Sequence, residues 1–246
     1  MTAISKPTIL LVPGAWMPSE QFDSLKNLLA RENYESITVD HPSVGNEPAD
    51  QTLDTDVANL RNTLTQLIDQ DGKEVVLLLH SYGGIVGSCA SEGFGTKQRA
   101  DEGKRGGITA IIFVTAFLLQ VGENLLDKLG GNWPAWMDIR DSKVYIDQAP
   151  EIGFPDLPQD EQKSWHARLT YTAVGAFEGT LTYEPWSQIP CAYFICENDT
   201  QLLPPFQEAM AVSIGATIHR ITGGHNPFLS VSDQILKGIE SVVAYT

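Results

Sequence analysis

Six short apolar runs punctuate the chain: Thr8 to Val12 (TILLV), Glu35 to Asp40 (ESITVD), Glu74 to Leu79 (EVVLLL), Ile108 to Val114 (ITAIIFV), Cys191 to Cys196 (CAYFIC) and Ala216 to Ile221 (ATIHRI). They are too short to be helices, are rich in β-branched residues, and do not alternate polar with apolar. Strands buried on both faces have this pattern. Longer amphipathic segments separate them. Ser19 to Arg31 carries Phe22, Leu25, Leu28 and Leu29 on one face, with Ser19 as the expected N-cap, and Thr52 to Gln70 repeats the period through Leu53, Val57, Leu60, Leu64, Leu67 and Ile68. Helices are also expected at Gln201 to Ser213 and Ser232 to Tyr245. Strand and helix in alternation predict an α/β fold, a doubly wound and mostly parallel six-stranded sheet with helices on both faces.

Two stretches interrupt the alternation. Gly93 to Gly107, with Lys97, Arg99, Lys104 and Arg105, reads as a solvated surface loop. Residues 121–189 hold Pro134, Pro150, Pro155, Pro158 and Pro185 among scattered aromatics, and read as a helical cap inserted between core segments 1–120 and 190–246. Trp133, Trp136, Trp165 and Trp186, four of the five tryptophans, fall in it. A length of 246 residues is enough to bury a large core without staples.

The net charge of -15, from 16 basic and 31 acidic residues, argues against nucleic acid and against an anionic membrane, and leaves a small-molecule substrate as the expected partner. The three cysteines, Cys89, Cys191 and Cys196, lack metal-ligand spacing and predict neither disulfides nor a metal site. No apolar run approaches the roughly 18 residues that span a bilayer, and the N-terminus lacks a secretory pattern. The expectation is a cytoplasmic protein, monomer or homodimer, with no cofactor.

Chemistry gathers at the carboxyl ends of the strands. Ser81 follows EVVLLLH directly and precedes Gly83 and Gly84, the pattern of a nucleophile elbow, with Leu79 in the place where that pattern has its first glycine. The other reading of Ser81 is a helix cap. A serine hydroxyl needs a base, and the base an orienting carboxylate. His225, in the Gly-rich loop TGGHNPF after the last run, is the expected base, and Asp199, in ENDTQLLPP after CAYFIC, the expected acid. Glu197 and Glu123 remain rivals for the acid. Among the other histidines, His80 suits a pocket wall, His41 the edge of the site, His166 lies in the insertion and His219 in a strand. The N–H of Tyr82, next to the serine, and that of Ala15, in VPGAW after the first run, suit an oxyanion hole. Trp16 and Trp136 are further pocket candidates.

Together LVPGAW, LLHSYGG, CENDTQLLPP and TGGHNPF, in this order, resemble the α/β-hydrolase superfamily, in the branch that holds plant methyl-ester esterases, hydroxynitrile lyases and fungal and bacterial homologues. The resemblance covers essentially the whole chain and implies the short form of that fold, without its first two strands. It implies Ser81 as nucleophile, His225 as base, Asp199 as acid, and Ala15 and Tyr82 as oxyanion donors. Pro13-Gly14 stands where many members have His-Gly, and a serine at 81 departs from the branches with a carboxylate nucleophile. The implied activity is hydrolysis of an ester, lactone or thioester of a small or medium apolar compound through an acyl-enzyme. The alternatives are a lyase or other acid–base catalyst with the same residues, and a ligand-binding, receptor-like protein.

Overall fold

The computed structural model describes residues 6–245. In chain order the strands are β1 (Thr8–Val12), β2 (Ser36–Thr38), β3 (Glu74–His80), β4 (Gly107–Val114), β5 (Met137–Arg140), β6 (Lys143–Ile146), β7 (Thr172–Ala173), β8 (Cys191–Cys196) and β9 (Thr217–Ile221). Six of them form one sheet in the order β2-β1-β3-β4-β8-β9, and every pairing in it is parallel. The mostly parallel six-stranded sheet expected from the sequence is therefore present, with helices on both faces.

The two faces follow from the period of two along each strand. Leu10 and Val12, Val75, Leu77 and Leu79, and Ile111 and Phe113 point to one face, where the helices Leu53–Leu64 and Gly83–Ala90 bury Leu60, Leu64, Ile85 and Val86 against them. Their neighbours Ile9, Leu11, Val76, Leu78 and Ile112 point to the other. There Asp23–Arg31 and Ser232–Tyr245 pack Leu25, Leu29, Ile235 and Ile239. Each central strand is thus buried on both sides, which explains its continuous apolar run.

Helix ends differ from the sequence reading in detail. Ser19 is not the cap expected of it; Ser19–Phe22 is a turn of 3-10 helix preceded by Pro18, and no side chain caps it. The amphipathic stretch beginning at Thr52 ends in a π-helical turn, Thr65–Gln70. The stretch Gly93 to Gly107 is no simple solvated loop. It contains the helix Thr96–Asp101, and Arg99 is buried there, pairing with Asp69 at 2.8 Å and donating to the carbonyls of Arg105 and Gly106. Arg99 is the bolt that holds this helix to the core.

Between β4 and β8 the chain forms short helices, among them Leu125–Lys128, Pro150–Gly153, Gln159–His166 and Val174–Glu178. It also forms an antiparallel sheet, β5-β6-β7, which the sequence reading did not resolve. Strand β7 is stitched to the core: the Ala173 N–H donates to the Ser43 carbonyl at 2.8 Å, and Val44 bridges Thr172. Among the described residues no helix is long and apolar enough to cross a membrane.

Candidate active site

The sheet order reverses direction at β1, whose neighbours are β2 on one side and β3 on the other. At such a switch point the loops leaving adjacent strands part and open a crevice above the carboxyl ends. Ala15 and Ser81 leave β1 and β3 at this point, and Thr115, Asp199 and His225 follow β4, β8 and β9.

Ser81 sits between β3 and the helix Gly83–Ala90 with φ of 51°, in the left-handed region that costs a non-glycine residue energy. The strain is held from both sides. Its N–H donates to the Val114 carbonyl at 3.3 Å, and its own carbonyl accepts from Phe117 and Gly84 at 3.1 and 3.0 Å. Such a turn needs close approach of its flanks. A Cβ on Gly83 would lie 2.4 Å from the Pro13 carbonyl oxygen, and one on Gly14 would lie 2.9 Å from the Ser81 Cβ. Leu79, in place of the usual first glycine, is accommodated by Gly87 one turn into the helix, where a Cβ would meet Leu79 Cδ2 at 2.3 Å.

The Ser81 Oγ lies 3.1 Å from His225 Nε2, and His225 Nδ1 lies 2.8 Å from Asp199 Oδ2. With Nδ1–H donating to the carboxylate, Nε2 is left to accept from the hydroxyl. Asp199 is almost saturated with donors. Its Oδ1 accepts from the N–H groups of Gln201 and Leu202 at 2.8 and 2.9 Å, and its Oδ2 accepts from the Thr115 hydroxyl as well as from His225. Burial, the largest single influence, pushes the Asp199 carboxyl up, but the His225 charge and the hydrogen bonds from His225, Thr115 and Leu202 together hold it below its ordinary value. Thr115, with φ of 38°, is a member of this cluster that the sequence reading missed. Its only signal was its place just past the fourth core run.

The rival acids point elsewhere. Glu197 lies 3.7 Å from Arg220, and Glu123 pairs with Lys128 at 2.9 Å. His80 is buried beneath the site, where its Nε2–H donates to the His225 carbonyl at 2.7 Å. Burial, then the neighbouring His225, depress its pKa to about 3, so His80 is neutral at any ordinary pH. His41 donates from Nε2 to the Pro13 carbonyl at 2.8 Å, His166 lines a small cavity beside the serine, and His219 lies in β9 against Phe194. Among the described residues, the N–H groups of Ala15 and Tyr82 have no backbone acceptor, and both residues border the crevice.

Above Ser81 lies a cavity of about 370 Å³. Its walls are mainly apolar, with Trp16, Phe117, Trp136, Phe177 and Met210 contributing, and Ser81 and His225 lie at its floor. Trp16 stacks on Phe177 at 5.2 Å and meets Trp136 edge-on at 6.0 Å. The pocket candidates Trp16 and Trp136 therefore line this cavity, while His80 faces a second one of about 20 Å³ that also touches Ser81 and His225.

Comparison with known proteins agrees with this architecture. A protein named Alpha/beta hydrolase nvfD from Aspergillus novofumigatus is 29% identical over 243 residues, which cover 96% of this chain and 96% of that protein. A probable hydrolase, R7, from a Phoma species is 24% identical over 243 residues, 94% of this chain and 96% of its own. Among solved structures, a pyrethroid hydrolase from Sphingobium faniae superposes with a TM-score of 0.78 at 16% identity, covering 97% of each chain. Polyneuridine aldehyde esterase superposes with a TM-score of 0.76 at 17% identity, covering 96% of this chain and 99% of that one. At that level of identity the structural matches speak for the fold. The model described as "Alpha/beta hydrolase family" matches residues 9–237, nearly the whole chain, and the protein belongs to that family.

Proposed function

We propose that the protein is a serine hydrolase of the carboxylic-ester type, with Ser81 as nucleophile, His225 as general base and Asp199 as the acid that orients it. The observation that carries this reading is the unbroken line of contacts from the Ser81 hydroxyl through His225 to Asp199, at 3.1 and 2.8 Å, on the floor of an apolar cavity. Its fold neighbours include a protein named as an esterase and another named as a pyrethroid hydrolase.

As Ser81 Oγ attacks the carbonyl carbon, its proton passes to His225 Nε2, and Asp199 stabilises the imidazolium. The carbonyl oxygen becomes an oxyanion that accepts from the N–H groups of Ala15 and Tyr82. Collapse of the tetrahedral species breaks the bond to the leaving alcohol or thiol, which takes the proton from His225. Water then adds to the acyl-enzyme with His225 again as base, and Ser81 is regenerated. Residues 121–189 act as a cap over the cavity. Aromatic walls and a volume of about 370 Å³ suit an ester, lactone or thioester of a small or medium apolar compound.

The test is direct. A fluorophosphonate is expected to label Ser81, and a short-chain p-nitrophenyl ester to be hydrolysed; Ser81→Ala is expected to abolish both while circular dichroism stays unchanged. Failure of the wild type to label beside a control esterase overturns the assignment of the nucleophile. Product analysis on esters, lactones and cyanohydrins separates hydrolysis from lyase chemistry.

A further inference from the structure

Asp56 is a fully buried carboxylate on the helix Leu53–Leu64, and among the described residues no lysine or arginine pairs with it. Leaving a carboxylate in the core without a cation is expensive unless hydrogen bonds replace its hydration. Three donors do so: the Ser43 N–H at 3.0 Å, the Ser43 hydroxyl at 2.6 Å and the Tyr82 hydroxyl at 2.8 Å. A hydrophobic side chain would fill this place at lower cost, so the carboxylate points to a task other than stability.

The partners indicate the task. Tyr82 is the residue after Ser81, and its ring is buried against His41 and Phe177 at centroid distances of 5.3 and 5.8 Å. Its phenol is fixed by Asp56, so the orientation of its peptide, and of its N–H, is fixed from the far end of the side chain. Ser43 belongs to the segment 41–44, which reaches the other donor as well. His41 holds the Pro13 carbonyl, and Val44 bridges Thr172, whose hydroxyl accepts from the Trp16 N–H at 3.0 Å. Pro13 and Trp16 bracket Gly14 and Ala15. One carboxylate and one short segment therefore connect the flanks of both N–H groups.

We infer that Asp56 is a positioning residue that sets the spacing of the two oxyanion donors through the Tyr82 phenol and Ser43, an inference that rests on the serine-hydrolase reading above. It never touches substrate. Losing an oxyanion donor outright costs about 10²–10³ in turnover. A donor kept but poorly aimed costs less, on the order of tenfold.

The experiment compares wild type, Tyr82→Phe, Asp56→Asn and the double variant in ester hydrolysis and in inhibition by a boronic acid, whose adduct with the serine mimics the tetrahedral species. Each single change is expected to lower kcat about tenfold with KM within about twofold, and to weaken boronate binding by the same factor as kcat. The double variant is expected to be no worse than the poorer single one, because both changes cut the same link. Losses that multiply, a KM rise at constant kcat, or unchanged boronate affinity would overturn the inference. Tyr82→Phe removes one oxygen and keeps the peptide N–H, so it decides the question even where Asp56→Asn does not fold. An inactive, unlabelled wild type defeats the hydrolase reading and this inference with it; an active wild type beside insensitive variants defeats this inference alone.

Discussion

Burial pushes the Asp199 carboxyl up, yet it is held below its ordinary value because His225 stands beside it and each of its oxygens has donors. Thr115 supplies one of them, and its removal should act on chemistry more than on binding. We expect Thr115→Val to lower kcat roughly tenfold at nearly constant KM, and to cost about 1–3 kcal/mol in urea unfolding, since a charged acceptor loses a donor. Gly14 offers a sharper residue-scale test. A methyl there must displace Ser81 or the loop after β1, since it would lie 2.9 Å from the Ser81 Cβ. Gly14→Ala should thus reduce ester turnover by at least about tenfold while leaving the far-ultraviolet spectrum intact, because an ångström of misalignment at the reacting atoms is costly. Retained turnover would mean that the loop yields freely. The sequence names Ser81, Asp199 and His225 through their places after the core runs, but it offers no comparable sign of Thr115. A threonine at a strand end has many uses, and only its neighbours select one.

At the scale of elements, the contact between β3 and the helix Gly83–Ala90 explains how the turn at Ser81 closes with Leu79 where the elbow pattern has a glycine. Leu79 lies fully buried against Gly87, and the two form one packing unit. Gly87→Ala should destabilise the protein by about 1–3 kcal/mol, the usual cost of overpacking a close-packed core. Adding Leu79→Ala should restore part of the stability lost at Gly87, giving a non-additive double-mutant cycle in urea unfolding. Additive losses would place the strain elsewhere. The runs of the central strands are legible in the sequence because those strands are buried on both faces, and the expected bounds fall within a residue of the observed strands at β1, β3, β4, β8 and at the half-exposed edge strand β9. The edge strand β2, Ser36–Thr38, is shorter than the run Glu35 to Asp40 that contains it. The sheet β5-β6-β7 escapes notice because its strands are two to four residues long, too short for an alternating pattern to show. Arg99 is missed for a related reason: a charged residue reads as solvated until its carbonyl and carboxylate partners are placed around it.

For the molecule as a whole, charge and burial act in opposite directions on acidification. His80 is held neutral in the fold, with a pKa of about 3 against an ordinary 6.5. Between those values the unfolded chain binds the extra proton, so stability is complete above about pH 6.5 and drains away as the pH falls toward 3. Asp199 adds to the loss at the acid end: its carboxyl lies below its ordinary value, so its contribution is present above the unfolded carboxylate range and lost as the pH falls through its folded value. The net charge of -15 works the other way, since self-repulsion eases as carboxylates are protonated. We expect urea unfolding to show a loss of a few kcal/mol between pH 7 and pH 4, and His80→Gln to flatten that slope. An unchanged slope would mean that His80 is not the group that titrates. The anchoring of Trp16 by Thr172 and by the Val144 carbonyl, which accepts its indole N–H at 2.8 Å, has a further consequence for anyone who wishes to retarget the enzyme. Exchanging residues 121–189 wholesale for a relative's would remove the two clamps beside Ala15 along with the cavity-lining Trp136, Met137 and Phe177. Retargeting should instead recarve Phe177, Met137 and Leu203 one at a time, with the β6 and β7 clamps left in place.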